Sequence, residues 1–229
     1  MPEPISTEAI TRKNIRRLAI DRESVFSLLG KEWSILPDVY PSGSFSSTEF
    51  FTRQDIYPPS GGTFLEIGCG TGVTALTAAM SSCDAVVASD INPQAVRNTE
   101  INTARHGVAD KVSVRHGDLF SAVRANERFD CIFWNSNGIE MPSGYTHQSE
   151  FEKAFFDPGY ESHRRYVEEG PNYLTPGGRL LIGFSGHGNV SLLRNFAERT
   201  GHTFAERARS RSATRIIKHP HLLLELVPT

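Results

Sequence analysis

From residue 63 onward, short apolar runs alternate along the chain with longer stretches of helical periodicity. The runs have the length of buried strands, and the stretches between them have the spacing of amphipathic helices. Alternation of this kind is typical of an α/β fold, in which helices cover both faces of a parallel sheet. The predicted strands are Thr63–Ile67, Ala85–Ser89, Lys111–Val114, Phe129–Trp134 and Arg179–Phe184, and the predicted helices lie at about 71–82, 93–106, 158–173 and 188–200.

The end of the chain follows another pattern. Two strand-like runs, His202–Arg209 and His219–Val227, have no helical stretch between them. Strands without an intervening helix form antiparallel pairs more readily than parallel ones, because a parallel crossover needs a long connection. We therefore predict an antiparallel hairpin at the edge of the sheet.

The first 62 residues precede this alternation. The apolar positions of residues 1–36 predict a helical segment that ends near Gly30, and residues 37–62 form a connector rich in proline and serine. We expect residues 1–62 to cover the functional site, and residues 63–229 to form the domain that contains it.

Composition and charge limit the class of protein only broadly. The 229 residues carry 26 acidic and 24 basic side chains, a balance that argues against a dedicated nucleic-acid coat but permits a local basic patch. The three cysteines form no CxxC pair and indicate reduced thiols, so we predict a cytoplasmic location. No secretory signal or membrane-spanning run is evident.

The most informative motif is a glycine-rich turn between the first predicted strand and the helix after it. Glycines there let the backbone turn tightly and let a ligand approach the main chain, while the following helix presents free N–H groups. Such a turn at the carboxyl end of a parallel strand is typical of a nucleotide-type site. The turn consists of Glu66, Gly68, Cys69, Gly70 and Gly72.

Two aspartates follow the next two strands. Asp90 and its neighbour Ile91 lie where a carboxylate can accept hydrogen bonds from both hydroxyls of a ribose. Asp118 can accept from an exocyclic adenine amine, with Leu119 against the ring. Each aspartate also has a purely structural alternative as a cap or turn residue. The third glycine of a dinucleotide-binding motif would fall at Val73, which disfavours a dehydrogenase.

The spacing Glu66-x-Gly68-x-Gly70-x-Gly72 resembles motif I of the class I S-adenosylmethionine (SAM)-dependent methyltransferases. The resemblance continues through Asp90, Asp118 and Asn135 and covers about residues 63–185. It implies SAM as the cofactor and a Rossmann-like, doubly wound, seven-stranded, mostly parallel sheet with an antiparallel C-terminal hairpin. It also implies that Glu66 and the glycine turn surround the methionine part of SAM, while the two aspartates hold the ribose and the adenine amine.

Two further stretches resemble the HemK/PrmC group of protein-glutamine methyltransferases. One is Thr48-Glu49, and the other runs from Asp157 to Tyr166. The chain departs from that group after the fourth strand, where Asn135-Ser136-Asn137-Gly138 replaces N-P-P-[YF]. Asn135 is kept and can accept a bond from a planar amine, whereas the proline turn and the aromatic residue are missing.

Candidate catalytic side chains lie on the loops above the strand ends. They are Asn135, which is also a candidate cofactor-binding residue, Tyr145, His147 and His187, and for the last three a solvent-exposed loop position is the alternative. A hydroxyl acceptor needs a general base within about 3 Å, whereas an amide nitrogen needs only a hydrogen-bond acceptor. We find no cluster with the spacing of metal ligands.

These observations predict a SAM-dependent methyltransferase that acts on nitrogen or oxygen of a small molecule. A protein or RNA substrate, as in a HemK/PrmC-type protein-glutamine or nucleic-acid N-methyltransferase, is the alternative. A non-catalytic SAM-binding partner subunit is a third possibility. The sequence does not identify the methyl acceptor or the oligomeric state.

Overall fold

The computed structural model of the protein describes residues 7–44, 46–59, 61–81, 83–186, 188–210 and 220–229. Its strands, in chain order, are β1 Ser24–Leu28, β2 Lys31–Ile35, β3 Thr63–Ile67, β4 Ala85–Asp90, β5 Val112–His116, β6 Phe129–Asn135, β7 Ile139–Met141, β8 Phe156–Pro158, β9 Leu174–Ser185, β10 His202–Arg209 and β11 His221–Pro228. The helices are α1 Thr7–Arg16, α2 Ser46–Thr52, α3 Val73–Ser81, α4 Pro93–His106, α5 Glu161–Glu169 and α6 Val190–Arg199.

Seven strands form one sheet in the order β10-β11-β9-β6-β3-β4-β5. Only β11 runs against its neighbours among these strands, and it pairs antiparallel with both β9 and β10. The predicted fold class is therefore confirmed, including the antiparallel C-terminal pair. The pair closes one side of the sheet with β10 at the edge, and residue 219, where the second strand was predicted to begin, lies outside the described residues.

The sheet is buried on both faces. One cluster joins Ile132 and Trp134 of β6 to α5 and α6, and the other joins Phe133 of β6 to α2 and α3. This arrangement follows from the alternation of side chains along a strand, since successive residues point to opposite faces. All parallel strands end at the same edge, where the functional residues collect.

Helix α4 begins and ends where the sequence predicts. The Asn92 side chain accepts a hydrogen bond from the backbone N–H of Gln94 at 2.9 Å, and Pro93 occupies the first helical position. Gly107 ends the helix in the left-handed conformation with φ of 66°. Both ends depend on residues next to each other in the sequence.

The prediction of a helix through residue 30 is wrong. Helix α1 ends at Arg16, and residues 24–35 form the antiparallel hairpin β1–β2. The loop residues Leu29 and Gly30 both have positive φ, 54° and 72°, as a two-residue hairpin turn requires. Glycine after an apolar run therefore marks a hairpin turn here rather than the end of a helix.

Two asparagines of α4 bind this hairpin from the side. Asn102 accepts a hydrogen bond from the backbone N–H of Ser34 and donates to the carbonyls of Ser34 and Thr71, at 2.8, 2.9 and 2.8 Å. Asn98 accepts from the N–H of Leu36 at 2.7 Å and donates to Ser34 at 2.8 Å. Both asparagines are fully buried. They join the end of β2 to α4, and Asn102 also joins it to the glycine turn.

No helix among the described residues is both long enough and apolar enough to cross a membrane.

Candidate functional site

A cavity of about 1290 Å³ lies at the carboxyl ends of β3, β4, β6 and β9. Residues 136–158 and helix α1, together named the cover, contribute the opposite wall. The apolar side chains of Ile15, Met141, Phe151 and Phe156 form a cluster that joins the two parts of the cover. The site is therefore a covered cleft, with the ends of the sheet below.

The glycine turn adopts the backbone conformation that glycines permit. Gly68, Gly70 and Gly72 have φ of 66°, 56° and 82°, in the left-handed region that other residues rarely adopt. A Cβ at Gly70 would meet no atom within 4 Å, so this part of the turn faces open space in the cavity. A ligand can therefore come close to the main chain at this position.

Glu66 lies under the turn and is almost fully buried. Its Oε2 accepts a hydrogen bond from the backbone N–H of Ala75, in the first turn of α3, at 2.7 Å. Burial raises the pKa of Glu66 to about 8, because a carboxylate without solvent loses hydration. Cys69 is also buried, and its thiol is 3.3 Å from the Thr99 hydroxyl.

Asp90 ends β4 with both carboxylate oxygens directed at backbone donors. Oδ2 accepts from the N–H of Gly70, and Oδ1 from the N–H of Asn92, both at 2.9 Å. Burial raises the pKa of Asp90. Because the two carboxylate oxygens have four lone pairs between them, Asp90 can still accept a further bond from a ligand hydroxyl. The exposed Ile91 beside it also lines the cavity.

Asp118 lines the cavity but is held by a cation. The Arg165 guanidinium of α5 donates to Asp118 Oδ2 at 2.6 Å and to Glu169 at 3.0 Å. Leu119 is buried, with φ of 48°, and also lines the cavity. Asp118 and Leu119, predicted as an acceptor and an apolar surface, therefore both line the cavity. Arg165 is an ion-pair partner of Asp118 that the sequence did not indicate.

Asn135, the last residue of β6, lines the cavity with its side-chain amide uncommitted among the described residues. It pairs in parallel register with Gly183 of β9, where a Cβ would lie 2.7 Å from the Phe51 ring. Paired residues point to the same face of a sheet, so Asn135 and Phe51 share a face. The next residue, Ser136, donates to the Gly183 carbonyl through both N–H and hydroxyl at 2.9 Å.

Comparison with known proteins places the chain in a family. Residues 59–205 match the family described as methyltransferase domain. The chain belongs to the methyltransferase-domain family. It has the fold of the class I SAM-dependent methyltransferases, a family whose cofactor is SAM.

Relatives of this methyltransferase show the same family at low identity. It is 28% identical over 134 residues to the ribosomal protein uL3 glutamine methyltransferase of Burkholderia pseudomallei, covering 53% of this chain and 44% of the relative. It is 33% identical over 128 residues to the release factor glutamine methyltransferase of Cereibacter sphaeroides, covering 52% and 45%. The matches thus span less than half the length of these two relatives.

A solved structure shares the fold of this methyltransferase. The 16S rRNA methyltransferase of T. thermophilus, in complex with AdoMet and guanosine, superposes with a TM-score of 0.62 at 19% identity. The match covers 89% of this chain and 50% of that protein.

In this methyltransferase, Tyr145 is directed into the cover rather than into the cavity. Its hydroxyl donates to Glu152 Oε2 at 2.8 Å, and its ring packs edge-on against Phe156. Glu152 is fully buried and also accepts from Arg12 at 3.3 Å and from the N–H of Gln148 at 2.8 Å. The structure thus places Tyr145 in the packing of the cover and not among the cavity-lining residues, contrary to expectation.

Of the two candidate histidines, His147 lines the cavity. Its Nε2 lies 3.1 Å from the Phe156 carbonyl, which can only accept, so Nε2 carries the proton in the neutral ring. Nδ1 is then the acceptor nitrogen. His187, predicted to lie on the neighbouring loop, is outside the described residues.

Three further residues line the methyltransferase cavity that sequence reasoning did not assign to it. Phe51 of α2 packs against Phe133 and against His221, with ring centroids 5.8 Å apart in each case. Burial lowers the pKa of His221, which favours the neutral ring. Trp134 lines the cavity from the other face of β6. The apolar runs in the sequence indicate burial for Phe51 and Trp134, but not their approach to the cavity.

Asp157 and His163 form a buried pair at the start of α5. Asp157 Oδ2 lies 2.6 Å from His163 Nδ1, and the two carboxylate oxygens accept the backbone N–H groups of Ser162 and His163 at 3.1 and 3.0 Å. Burial acts to raise the pKa of Asp157, but His163 and the backbone donors lower it overall. This stretch, which resembles the HemK/PrmC segment, therefore fixes the helix that carries Arg165.

The cavity of the methyltransferase is acidic. Among its described lining residues, seven carry carboxyl groups, whereas only Lys153 and Arg165 carry fixed positive charge. Both cations are paired, Lys153 with Glu150 at 2.8 Å and Arg165 with Asp118 at 2.6 Å. The seven are Glu66, Asp90, Asp118, Glu140, Glu150, Asp157 and Glu161. No three His, Cys, Asp or Glu side chains in the described ranges are placed to hold a metal ion.

Proposed function

We propose that the cavity holds SAM across the carboxyl ends of β4 and β3, and that the enzyme methylates an amide nitrogen on a protein side chain. Asn135, with its uncommitted amide inside the cavity, is the observation that carries the assignment to nitrogen. Its carbonyl oxygen can accept one N–H of a planar NH₂ group and so orient the nitrogen.

The cavity residues fit the cofactor by their chemistry. The open turn at Gly70 accommodates a ligand against the backbone, and Asp90 offers its remaining acceptor capacity to the ribose hydroxyls. Asp118 and Leu119 provide an acceptor and an apolar surface for the adenine. When bound, SAM supplies a methyl group on a sulfonium that is already activated for transfer.

The remaining residues act on the acceptor. The cover walls part of the cavity, and shielding from bulk water on that side strengthens the hydrogen bond at Asn135. Phe51 provides an aromatic side chain near Asn135, where the fourth motif of the chain lacks one. His147 Nδ1 is available to receive the proton that the acceptor nitrogen loses. We also propose that residues 1–62, which include helix α1, lie over the functional site of the domain formed by residues 63–229.

The acidic cavity supports a protein acceptor over RNA. Of the seven lining carboxyl groups, Glu66 holds its proton at neutral pH, and Asp118 and Glu150 are paired with cations. The other four have no cationic partner among the described lining residues, and they repel a polyanion and favour a neutral or cationic group. Two of the relatives are named as glutamine methyltransferases, which supports an amide nitrogen in particular.

The proposal is tested by transferring radiolabelled methyl groups from SAM into a cleared cell lysate. We expect acid-precipitable label that protease removes and nuclease does not, and mass spectrometry should locate the methyl group on an amide nitrogen. Asn135→Ala should reduce transfer about a hundredfold while SAH binding stays within about threefold. The exposed Asn172, away from the cavity, gives the control variant Asn172→Ala, which should act as wild type. Label that nuclease removes would contradict the proposal.

A small-molecule acceptor is the second candidate, and the cover favours it. Four residues in α1 or just after it line the cavity, namely Thr11, Asn14, Ile15 and Leu18. A cleft walled in this way admits a compact molecule more easily than a folded protein. Label found only in soluble metabolites would establish this candidate instead.

A further inference from the structure

Trp134 carries a hydrogen-bond donor that the described part of the protein leaves without a partner. The side chain is 6% exposed and packs between the rings of His163 and Tyr166, at centroid distances of 4.8 and 5.2 Å. Its Nε1 lies 3.2 Å from the position of a Cβ at Gly68, at the wall of the cavity. A buried indole N–H usually has a partner, as in Trp33, whose Nε1 donates to the Leu28 carbonyl at 3.0 Å. The N–H of Trp134 instead opens to the cavity, where a ligand can accept its hydrogen bond.

The order of polar groups across the sheet indicates which part of a ligand lies there. Moving from β5 to β6, the cavity presents Asp118, Asp90, the Gly68 turn and then Trp134. Neighbouring strands are about 4.8 Å apart, so this row spans about 15 Å. The first two groups only accept hydrogen bonds when ionised, and the indole N–H only donates.

SAM presents a complementary order along its length. The adenine amine and the ribose hydroxyls can donate to the two aspartates, whereas the carboxylate at the other end of the molecule only accepts. A carboxylate in an acidic cavity requires donors. The two lining cations, Lys153 and Arg165, are already paired with Glu150 and Asp118.

We propose that Nε1–H of Trp134 donates a hydrogen bond to the carboxylate of the methionine part of SAM. Trp134 is then a positioning residue that selects the amino-acid end of the cofactor and holds it at the Gly68 turn. This inference rests on the proposed placement of SAM in the cavity.

The test compares two ligands on one chain. S-adenosylhomocysteine (SAH) carries the carboxylate, and S-adenosyl-3-thiopropylamine lacks only that group. Trp134 is replaced by Phe, and, in a Trp33→Phe background, by benzothienylalanine, which keeps the two-ring shape without the N–H. Affinities are measured by calorimetry.

We expect each replacement at Trp134 to weaken SAH binding at least tenfold, as for a hydrogen bond to a charged group, and to leave the affinity for the decarboxylated analogue within about twofold. Trp33→Phe alone should change neither affinity. Equal losses for both ligands in the benzothienylalanine variant, or no loss for either, would overturn the role of the N–H.

Asp90→Ala separates this inference from the placement on which it rests. If SAM lies as proposed, this variant should bind both ligands at least tenfold more weakly, because both ligands contain the ribose. Wild-type affinity for both ligands in Asp90→Ala would remove the placement itself. Loss in Asp90→Ala with no ligand discrimination at Trp134 would remove only the Trp134 assignment.

Discussion

At the scale of single residues, several polar groups of the site keep hydrogen-bonding capacity that a ligand can use. Asp90 retains acceptor capacity after two backbone bonds, and the Trp134 indole opens to the cavity. Glu66 is the most deeply buried carboxyl group of the glycine turn region, and it accepts hydrogen bonds from Thr74 and Ala75 at the start of α3. The protonation state of Glu66 therefore affects both the charge of the cavity and the stability of the folded protein.

The stability of the enzyme should depend on pH through Glu66. The pKa of this group is raised by burial from its ordinary 4.5 to about 8, so the folded chain holds a proton that the unfolded chain releases between these values. Its stabilising contribution is complete below about pH 4.5 and is lost as the pH rises through about 8.

Urea unfolding of wild type and Glu66→Gln between pH 5 and 8 measures this effect. The difference in the free energy of unfolding should grow in favour of the variant as the pH rises, by at most about 5 kcal/mol. Parallel pH profiles for the two proteins would show that the carboxyl group of Glu66 does not titrate in this window.

At the scale of elements, the cover has its own small apolar cluster, and the buried carboxylate of Glu152 joins its two parts. Helix α1 reaches that carboxylate through Arg12, and residues 136–158 reach it through Tyr145 and the N–H of Gln148. Glu152 thus joins segments that are 140 residues apart in the chain.

Glu152→Ala should loosen the cover. Removing the carboxylate leaves the Arg12 guanidinium and the Tyr145 hydroxyl without their acceptor, at a cost of about 3 kcal/mol. Trypsin should cleave within α1 and residues 136–158 at least ten times faster than in wild type. The exposed pair of Glu49 and Arg53 supplies the control, since Glu49→Ala should cost at most about 0.5 kcal/mol. Unchanged trypsin resistance in Glu152→Ala would show that the cover is held by its apolar cluster alone.

Elements defined by neighbouring residues could be predicted, and those defined by distant contacts could not. The ends of α4 follow from Asn92, Pro93 and Gly107, and the strands of the main sheet from their apolar runs. The β1–β2 hairpin was predicted as a helix because its polar partners lie 62 to 71 residues further along the chain. Phe51 reaches the site for the same kind of reason, through packing on Gly183.

At the scale of the whole molecule, charge is distributed unevenly. The net formal charge is only −2, yet the cavity concentrates seven carboxyl groups. A focused acidic cleft in a nearly neutral protein attracts cationic segments locally, without binding them strongly elsewhere.

Polyions should therefore separate the acceptor classes. Poly-lysine should inhibit methyl transfer into protein, and poly-glutamate of equal length should not. A tenfold excess of total RNA over protein substrate should leave the rate within about twofold, because the cavity repels phosphate. Inhibition by RNA that is as strong as that by poly-lysine would contradict this assignment of charge.

The asparagines of α4 also bear on how the protein can change over evolution. Asn98 and Asn102 are hydrogen-bonded to the main chain of the N-terminal hairpin, and Asn102 also to Thr71 of the glycine turn. A hairpin that followed a different path would leave these two buried amides without hydrogen-bond partners, and each would cost about 1–3 kcal/mol of stability. We therefore expect the N-terminal segment and the cofactor-binding core to be inherited together, so that recombination between related enzymes succeeds only when both are exchanged.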